Sequence, residues 1–140
     1  MSALRSPRDR TRTEDPTDAP APAVLAAAAA RAADDKLGRE TVVLDVGDVL
    51  AITDFFVITS GANDRQVRTI VDEVERVVAQ EFGPAAKPRR IEGLDALHWV
   101  LMDYGSFVVH VFDEETRRYY DLERLWRDMP RLEWRDPERS

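Results

Sequence analysis

Apolar residues recur along this chain with two different periods, and these periods divide it into helices and strands. Between residues 64 and 82 they fall at steps of three and four, which predicts a helix with a single apolar stripe, capped by Asn63 or Asp64. Residues 41–46 and 54–59 are instead continuous runs of apolar and β-branched side chains, which predicts strands that are covered on both faces.

The flanking segments complete an α/β pattern. Residues 23–35 are alanine-rich and predict a helix, while residues 97–103 and 106–112 predict the strands of a hairpin around Tyr104 and Gly105. A short turn of helix follows, and then a second helix whose apolar side is formed by Leu122, Leu125, Trp126 and Met129. Strands that alternate with amphipathic helices predict a single α/β domain, with a mixed β-sheet flanked by helices on both faces.

The two ends of the chain lack this periodicity. Residues 1–21 mix charged residues with threonine and proline, which predicts a disordered N-terminal tail. The domain is therefore expected to span residues 22–129, with Trp126 in its core. Residues 130–140 are mostly polar and are interpreted as a C-terminal tail that includes Trp134.

Acidic residues outnumber basic ones, and the excess lies within the predicted domain. The formal net charge is −7, and residues 22–130 carry all of it, with 20 acidic against 13 basic side chains. An acidic domain repels nucleic-acid backbones and attracts basic proteins. The chain has no cysteine, no apolar run long enough for a membrane span and no secretory signal pattern, which together favour a cytoplasmic protein.

Two histidines in the predicted hairpin are candidate metal ligands. With a three-residue loop that ends in a left-handed glycine, His98 and His110 would face each other across the strands, whereas with a two-residue loop His110 would face Trp99. Even the first arrangement supplies only two ligands, and a zinc site usually needs three or four. We therefore predict no metal site.

Carboxylates near the first two strands are candidate magnesium ligands. Asp45, Asp48 and Asp54 would suit nucleotidyl transfer if their side chains met at one point. Asp45 and Asp48 are three residues apart, however, and side chains at that spacing on a strand point to opposite faces. Residues 60–63 are better explained as the turn that begins a helix than as a phosphate-binding loop. The sequence favours a protein that is not an enzyme, uses no cofactor and takes no small-molecule substrate.

Several segments together resemble the Iojap-like family of ribosomal silencing factors, over residues 41–126. The segments are, in order, Val43-Leu44-Asp45-Val46, Thr53-Asp54-Phe55-Phe56-Val57-Ile58-Thr59-Ser60-Gly61, Asp64-Arg65-Gln66-Val67, Glu92-Gly93, Trp99-Val100-Leu101-Met102-Asp103-Tyr104-Gly105, Val108-Val109-His110-Val111-Phe112, and Tyr119-Tyr120-Asp121-Leu122-Glu123 with Leu125-Trp126. The chain departs from the family pattern at Ala96, where glycine is usual, at Met102, where leucine is common, and at Ser106, where aspartate is usual.

The resemblance implies a fold and a function. The fold is expected to be similar to that of nucleotidyltransferases, without their catalytic residues. The expected partner is the large ribosomal subunit, bound through its ribosomal protein fourteen, so that the small subunit cannot join and translation is repressed under nutrient limitation. Homodimers are a further expectation. The basic cluster Lys87, Arg89 and Arg90 is a candidate for a peripheral contact with ribosomal RNA, although a solvated loop is the commoner explanation of such a cluster. The alternatives are a divergent nucleotidyltransferase-like enzyme and a scaffold for large-subunit maturation.

The resemblance and the strand pattern together place the partner-binding residues in the hairpin. The expected set is Trp99, Met102, Asp103, Tyr104 and His110. On a strand, Trp99, Leu101 and Asp103 share one face, where an aromatic anchor beside a carboxylate suits a basic partner. Met102 is expected to reach the partner from the turn end of the opposite face. By its position alone, Trp99 fits equally well a core residue under the first or the last helix, and the resemblance favours the interface.

Overall fold

The computed structural model describes residues 21–135, so the predicted N-terminal tail lies outside the described residues except for Ala21. The helices of this part are α1 (Pro22–Asp35), α2 (Asp64–Phe82), α3 (Glu114–Tyr120) and α4 (Leu122–Leu125). The strands are β1 (Arg39–Asp45), β2 (Phe55–Gly61), β3 (Arg90–Glu92), β4 (Trp99–Asp103) and β5 (Phe107–Asp113). None of the helices within residues 21–135 is long and apolar enough to cross a lipid bilayer.

The strands form one mixed sheet in the order β1-β2-β5-β4-β3. Strands β2 and β5 pair in parallel at its centre, and the other neighbours pair in an antiparallel manner. Parallel pairing of β2 with β5 requires a long crossover, which α2, β3 and β4 provide. The predicted α/β class with a mixed sheet is confirmed.

Local sequence explains where the two long helices begin and end. Pro22 is the first residue of α1, where its missing N–H would have no partner in any case. Asn63 caps α2, because its Oδ1 accepts a hydrogen bond of 2.9 Å from the backbone N–H of Gln66. The Gln66 side chain in turn accepts from the N–H of Ala62, the residue before the cap, at 2.7 Å. Gly83, with a φ of +98°, ends this helix.

The sheet has two unlike faces. The first face packs on α1 and α2, and the residues of this larger core include Ala26, Ala29, Ala30, Ala33, Val43, Val57, Val67, Ile70, Val71, Val74, Val100, Met102, Val109 and Val111. The small alanine side chains of α1 allow its backbone to lie close to the sheet. The second face carries Leu44, Phe56, Ile58, Trp99, Leu101, Asp103, Val108, His110 and Phe112. Its smaller core is covered only in part, by Leu50, Leu122, Trp126 and Met129.

The last predicted helix is shorter than its pattern suggested. Helix α4 is a single turn, and residues 126–129 continue it as turns. Leu122, Trp126 and Met129 pack against the second face as predicted, but Leu125 is 71% exposed and does not join them. The prediction for Leu125 is therefore wrong, since one turn of helix cannot present residues 122, 125, 126 and 129 on one side.

Residues 130–135 are part of the fold, so their interpretation as a polar tail is wrong. The carbonyl of Pro130 accepts from the N–H of Asp45 at 2.8 Å, and the N–H of Leu132 donates to the carbonyl of Val43 at 2.9 Å. Trp134 is only 4% exposed, and its indole N–H donates to the carbonyl of Thr41 at 3.1 Å. This segment gives β1 partners for its outer hydrogen-bonding groups and adds one large aromatic side chain to the main core.

We expect Trp134→Ala to lower the free energy of unfolding by about 3–5 kcal/mol, the usual cost of removing a buried tryptophan. Chemical denaturation of the full chain measures this loss. Arg135→Ala is the matched control, because its guanidinium lies 4.4 Å above the Trp134 ring but its side chain is exposed. Equal small losses for both variants would show that residues 130–135 do not stabilise the domain.

Candidate functional site

The β4–β5 hairpin closes with a two-residue turn at Gly105 and Ser106. The N–H of Tyr104 donates to the carbonyl of Phe107 at 3.0 Å, and Gly105 has a φ of +89°. A positive φ at the first turn residue is what such tight hairpins require, and glycine adopts it without strain. The rings of Tyr104 and Phe107 stack with centroids 4.5 Å apart, which strengthens the closing pair.

This turn sets a register that differs from both arrangements considered from the sequence. Leu101 pairs with His110, and Trp99 pairs with Phe112. His98 therefore lies opposite Asp113. The N–H of Asp113 donates to the carbonyl of His98 at 2.9 Å, and Oδ2 of Asp113 lies 2.6 Å from Nδ1 of His98. The two histidines point to opposite faces of the sheet. Within residues 21–135, no group of three or more metal-ligating side chains is close enough to hold a metal ion.

Five neighbouring side chains of the second face remain partly exposed. They are Phe56, Trp99, Leu101, Asp103 and Val108, and we call them the second-face patch. Phe56, Val108 and Asp103 lie in one row across β2, β5 and β4, and Leu101 and Trp99 follow along β4. Three exposed apolar or aromatic side chains belong to the adjoining α3–α4 corner, namely Tyr119, Tyr120 and Leu125. Contiguous apolar surface of this kind is typical of protein-binding sites.

Trp99 is held in place by three aromatic neighbours. Its indole N–H donates to Nδ1 of His110 at 3.1 Å. Its ring stacks on Phe112 with centroids 4.9 Å apart and contacts Tyr120 with centroids 4.8 Å apart. Helix α1 packs on the other face of the sheet, so it does not cover this side chain. Trp99 is therefore a partly exposed ring anchored in the smaller core.

Asp103 has a structural role beside any role in binding. Its Oδ1 accepts from the N–H of Gly105 at 2.8 Å, which fixes the hairpin turn. The same oxygen lies 3.6 Å from a guanidinium nitrogen of Arg89, and the Asp103 side chain is 18% exposed. Replacing this carboxylate by lysine would remove the turn contact and repel Arg89, so asparagine is the more informative substitution.

The other predicted site residues offer little surface to a partner. Met102 is fully buried on the first face, so the prediction that it reaches a partner is wrong. Tyr104 packs on Phe107, its hydroxyl is buried without a hydrogen-bond partner among the described residues, and burial raises the pKa of that hydroxyl. His110 is 5% exposed and contacts Trp99 rather than solvent. The position of Leu101 in the second-face patch could be predicted from strand alternation. The positions of Val108 and Phe56 in it could be assigned only once the pairing register of the strands was known.

Burial lowers the pKa of His110 from 6.5 to about 4, because a charged imidazole would lose its hydration there. The folded state therefore keeps His110 neutral, while the unfolded chain takes up a proton as the pH falls below 6.5. It follows that the free energy of unfolding falls as the pH drops from 6.5 towards 4.

We expect a loss of about 2 kcal/mol between pH 7 and pH 5 from this group. Urea denaturation at both pH values, on the parent and on His110→Asn, isolates the contribution because asparagine does not titrate. Identical pH dependence in the two chains would contradict the assignment of a neutral, buried His110.

Comparison with known proteins relates this geometry to a family. The family described as ribosomal silencing factor during starvation matches residues 17–140. Ribosomal silencing factor RsfS of Halalkalibacterium halodurans is 44% identical over 105 residues, which are 75% of this chain and 87% of that protein. The mouse protein named mitochondrial assembly of ribosomal large subunit protein 1 is 35% identical over 88 residues, which are 63% of this chain and 39% of that protein.

Solved structures agree with this assignment. The crystal structure of a protein from Bacillus halodurans superposes with a TM-score of 0.63 at 40% sequence identity, over 75% of this chain and 92% of that chain. The family match includes all five strands of the sheet. This chain belongs to the ribosomal silencing factor family.

Proposed function

We propose that this chain binds the large ribosomal subunit through ribosomal protein fourteen and sterically prevents the small subunit from joining. The observation that carries the proposal is the second-face patch, in which aromatic and aliphatic side chains lie on one side of the carboxylate of Asp103. Membership of the silencing factor family supplies the ribosome as partner. On this proposal the protein acts as a steric block rather than as a catalyst.

The composition of the second-face patch suits a protein partner. Binding energy in protein interfaces is concentrated in a few aromatic and charged residues that are surrounded by apolar contacts. Trp99 is such an anchor, and it needs little reordering because Phe112 and His110 already hold it. Leu101 and Val108 supply apolar area beside it.

Charge favours a basic partner over nucleic acid. The net charge of −7 speeds the approach of a basic protein and slows that of a phosphate backbone. Among the basic residues near the hairpin, Arg89 lies 3.6 Å from Asp103 and Arg90 forms an ion pair of 3.1 Å with Glu92. Because both are already paired with carboxylates, we assign any contact of Lys87, Arg89 and Arg90 with ribosomal RNA to the periphery of the interface.

The family resemblance extends the proposal to the cellular setting. We place the activity in the cytoplasm and expect it to repress translation under nutrient limitation. A homodimer is part of the same proposal, and light scattering of the purified full chain tests it. The N-terminal residues 1–20 are expected to be dispensable for binding.

A scaffold for large-subunit maturation is the second candidate, because the mouse relative is named for mitochondrial assembly of the ribosomal large subunit. A sucrose gradient with purified subunits separates the two functions. Co-migration with the large subunit and loss of joined ribosomes supports silencing. Co-migration with unchanged joining favours the scaffold, and magnesium-dependent nucleotide binding without co-migration would favour an enzyme.

Two substitutions in the second-face patch test where the ribosome binds. We expect Trp99→Ala to weaken binding to large subunits by about 2 kcal/mol or more, since it removes the aromatic anchor. Asp103→Asn keeps an acceptor for the N–H of Gly105 but removes the charge, and we expect affinity to fall about fivefold to tenfold. Co-sedimentation at several salt concentrations measures both effects.

Asp72→Asn on α2 is the matched control for the charge change. Asp72 is 59% exposed and pairs with Arg68 at 3.1 Å, on a helix that covers the first face. It should leave binding unchanged. If all three variants melt like the parent and Asp103→Asn and Trp99→Ala bind as tightly as Asp72→Asn, the second-face patch is not the interface.

A further inference from the structure

The contact between Trp99 and His110 joins the second-face patch to the core. The indole N–H of Trp99 donates to Nδ1 of His110 at 3.1 Å, and His110 itself is 5% exposed. We propose that His110 is a positioning residue for docking, which holds the indole of Trp99 in its binding orientation without touching the partner. This inference rests on the proposed function, because it assigns a role within the same interface.

The contact requires one particular form of the imidazole. Nδ1 can accept a hydrogen bond from Trp99 only if it carries no proton, so the single proton of neutral His110 lies on Nε2. Nε2 is buried and has no hydrogen-bond partner among residues 21–135. The histidine therefore leaves one polar atom unsatisfied in order to present an acceptor to the indole. An aliphatic residue would fill the same space without that cost, which points to a use for the acceptor.

The His110 ring is itself fixed by its surroundings. Phe56 meets it edge to face with centroids 4.7 Å apart, and Phe112 lies nearly parallel to it with centroids 6.3 Å apart. Its backbone is paired on both sides, with Ile58 of β2 and Leu101 of β4. A side chain in the centre of the sheet is a rigid support, whereas Trp99 lies at the first position of β4 and is partly exposed.

Rigid support matters for binding because a mobile side chain must be ordered when the partner arrives. Ordering one such side chain lowers affinity by about threefold to tenfold. The hydrogen bond to His110 and the stacking on Phe112 order the indole beforehand. The hydrogen bond fixes the rotation of the indole within its stack, which stacking alone does not determine.

Three variants of the full chain separate positioning from simple packing. His110→Leu keeps an apolar side chain but removes the acceptor, and His110→Asn places an oxygen near the position of Nδ1. Trp99→Phe keeps a ring but removes the donor. We expect His110→Leu to lower affinity for large subunits about threefold to tenfold in the parent, and to cause no further loss in the Trp99→Phe background. His110→Asn should recover most of the lost affinity.

A second readout reports on the indole directly. The indole ¹H–¹⁵N resonance of Trp99 is assigned by its loss in Trp99→Phe, because the chain has three tryptophans. We expect this resonance to shift and its proton to exchange faster with water in His110→Leu, and to stay close to the parent in His110→Asn. Thermal melts of each variant show whether it is folded at the temperature of the binding assay, and His110→Val, a smaller aliphatic residue without an acceptor, replaces His110→Leu if that variant is not.

Two results would overturn the positioning role. One is that His110→Leu lowers affinity equally in the parent and in the Trp99→Phe background. The other is that the Trp99 resonance is unchanged in His110→Leu. If the parent chain does not bind large subunits, both the proposed function and the docking role of His110 are wrong. If the parent binds but the effects of the Trp99 and His110 substitutions are not coupled, only the role of His110 is wrong.

Discussion

Alternate side chains of each strand are buried beneath α1 and α2. This burial determines that the remaining side chains of the sheet must lie on the opposite face. Val43, Val57, Val109 and Met102 meet in one row of the first face. A slip of one residue in any strand would expose that row and bury its neighbours, so the register is strongly specified. Trp99, Leu101 and Asp103 alternate with the buried Val100 and Met102 along β4, so they must lie on the second face, whether or not anything covers them there. The binding surface is in this sense a consequence of how the core is packed.

The elements that could be predicted are those whose signal is local. The apolar stripe of α2, its Asn63 cap and the alanine-rich α1 need only neighbouring residues, and the structure has them at the expected places. The hairpin register could not be predicted, because it depends on whether Tyr104 stacks on Phe107 across the turn. Strand parity alone places Met102 beside Val100 on the first face, and the structure buries it there even though it lies near the turn.

The C-terminal segment shows a second limit of reasoning from periodicity. One tryptophan among polar residues gives no period, yet Trp134 fills a place in the main core that the strands and helices leave. Edge strands need cover or pairing for their outer hydrogen-bonding groups. Strand β1 obtains it from Pro130 and Leu132. Strand β3, at the other edge, is three residues long and carries Arg90 and Glu92, which discourages pairing with another chain.

Several aromatic side chains belong both to the smaller core and to the proposed interface, so one substitution there affects both stability and binding. Phe56 contacts both His110 and Trp126, and Phe112 stacks on Trp99, so the rings under the second-face patch form one connected cluster. A substitution in this cluster acts on stability through packing and on docking through the orientation of Trp99. The two effects have different chemistry, because packing responds to volume whereas orientation responds to the acceptor at Nδ1. A smaller residue that keeps an acceptor at position 110, such as asparagine, should therefore lose more stability than binding, whereas an aliphatic residue of similar volume should lose more binding than stability.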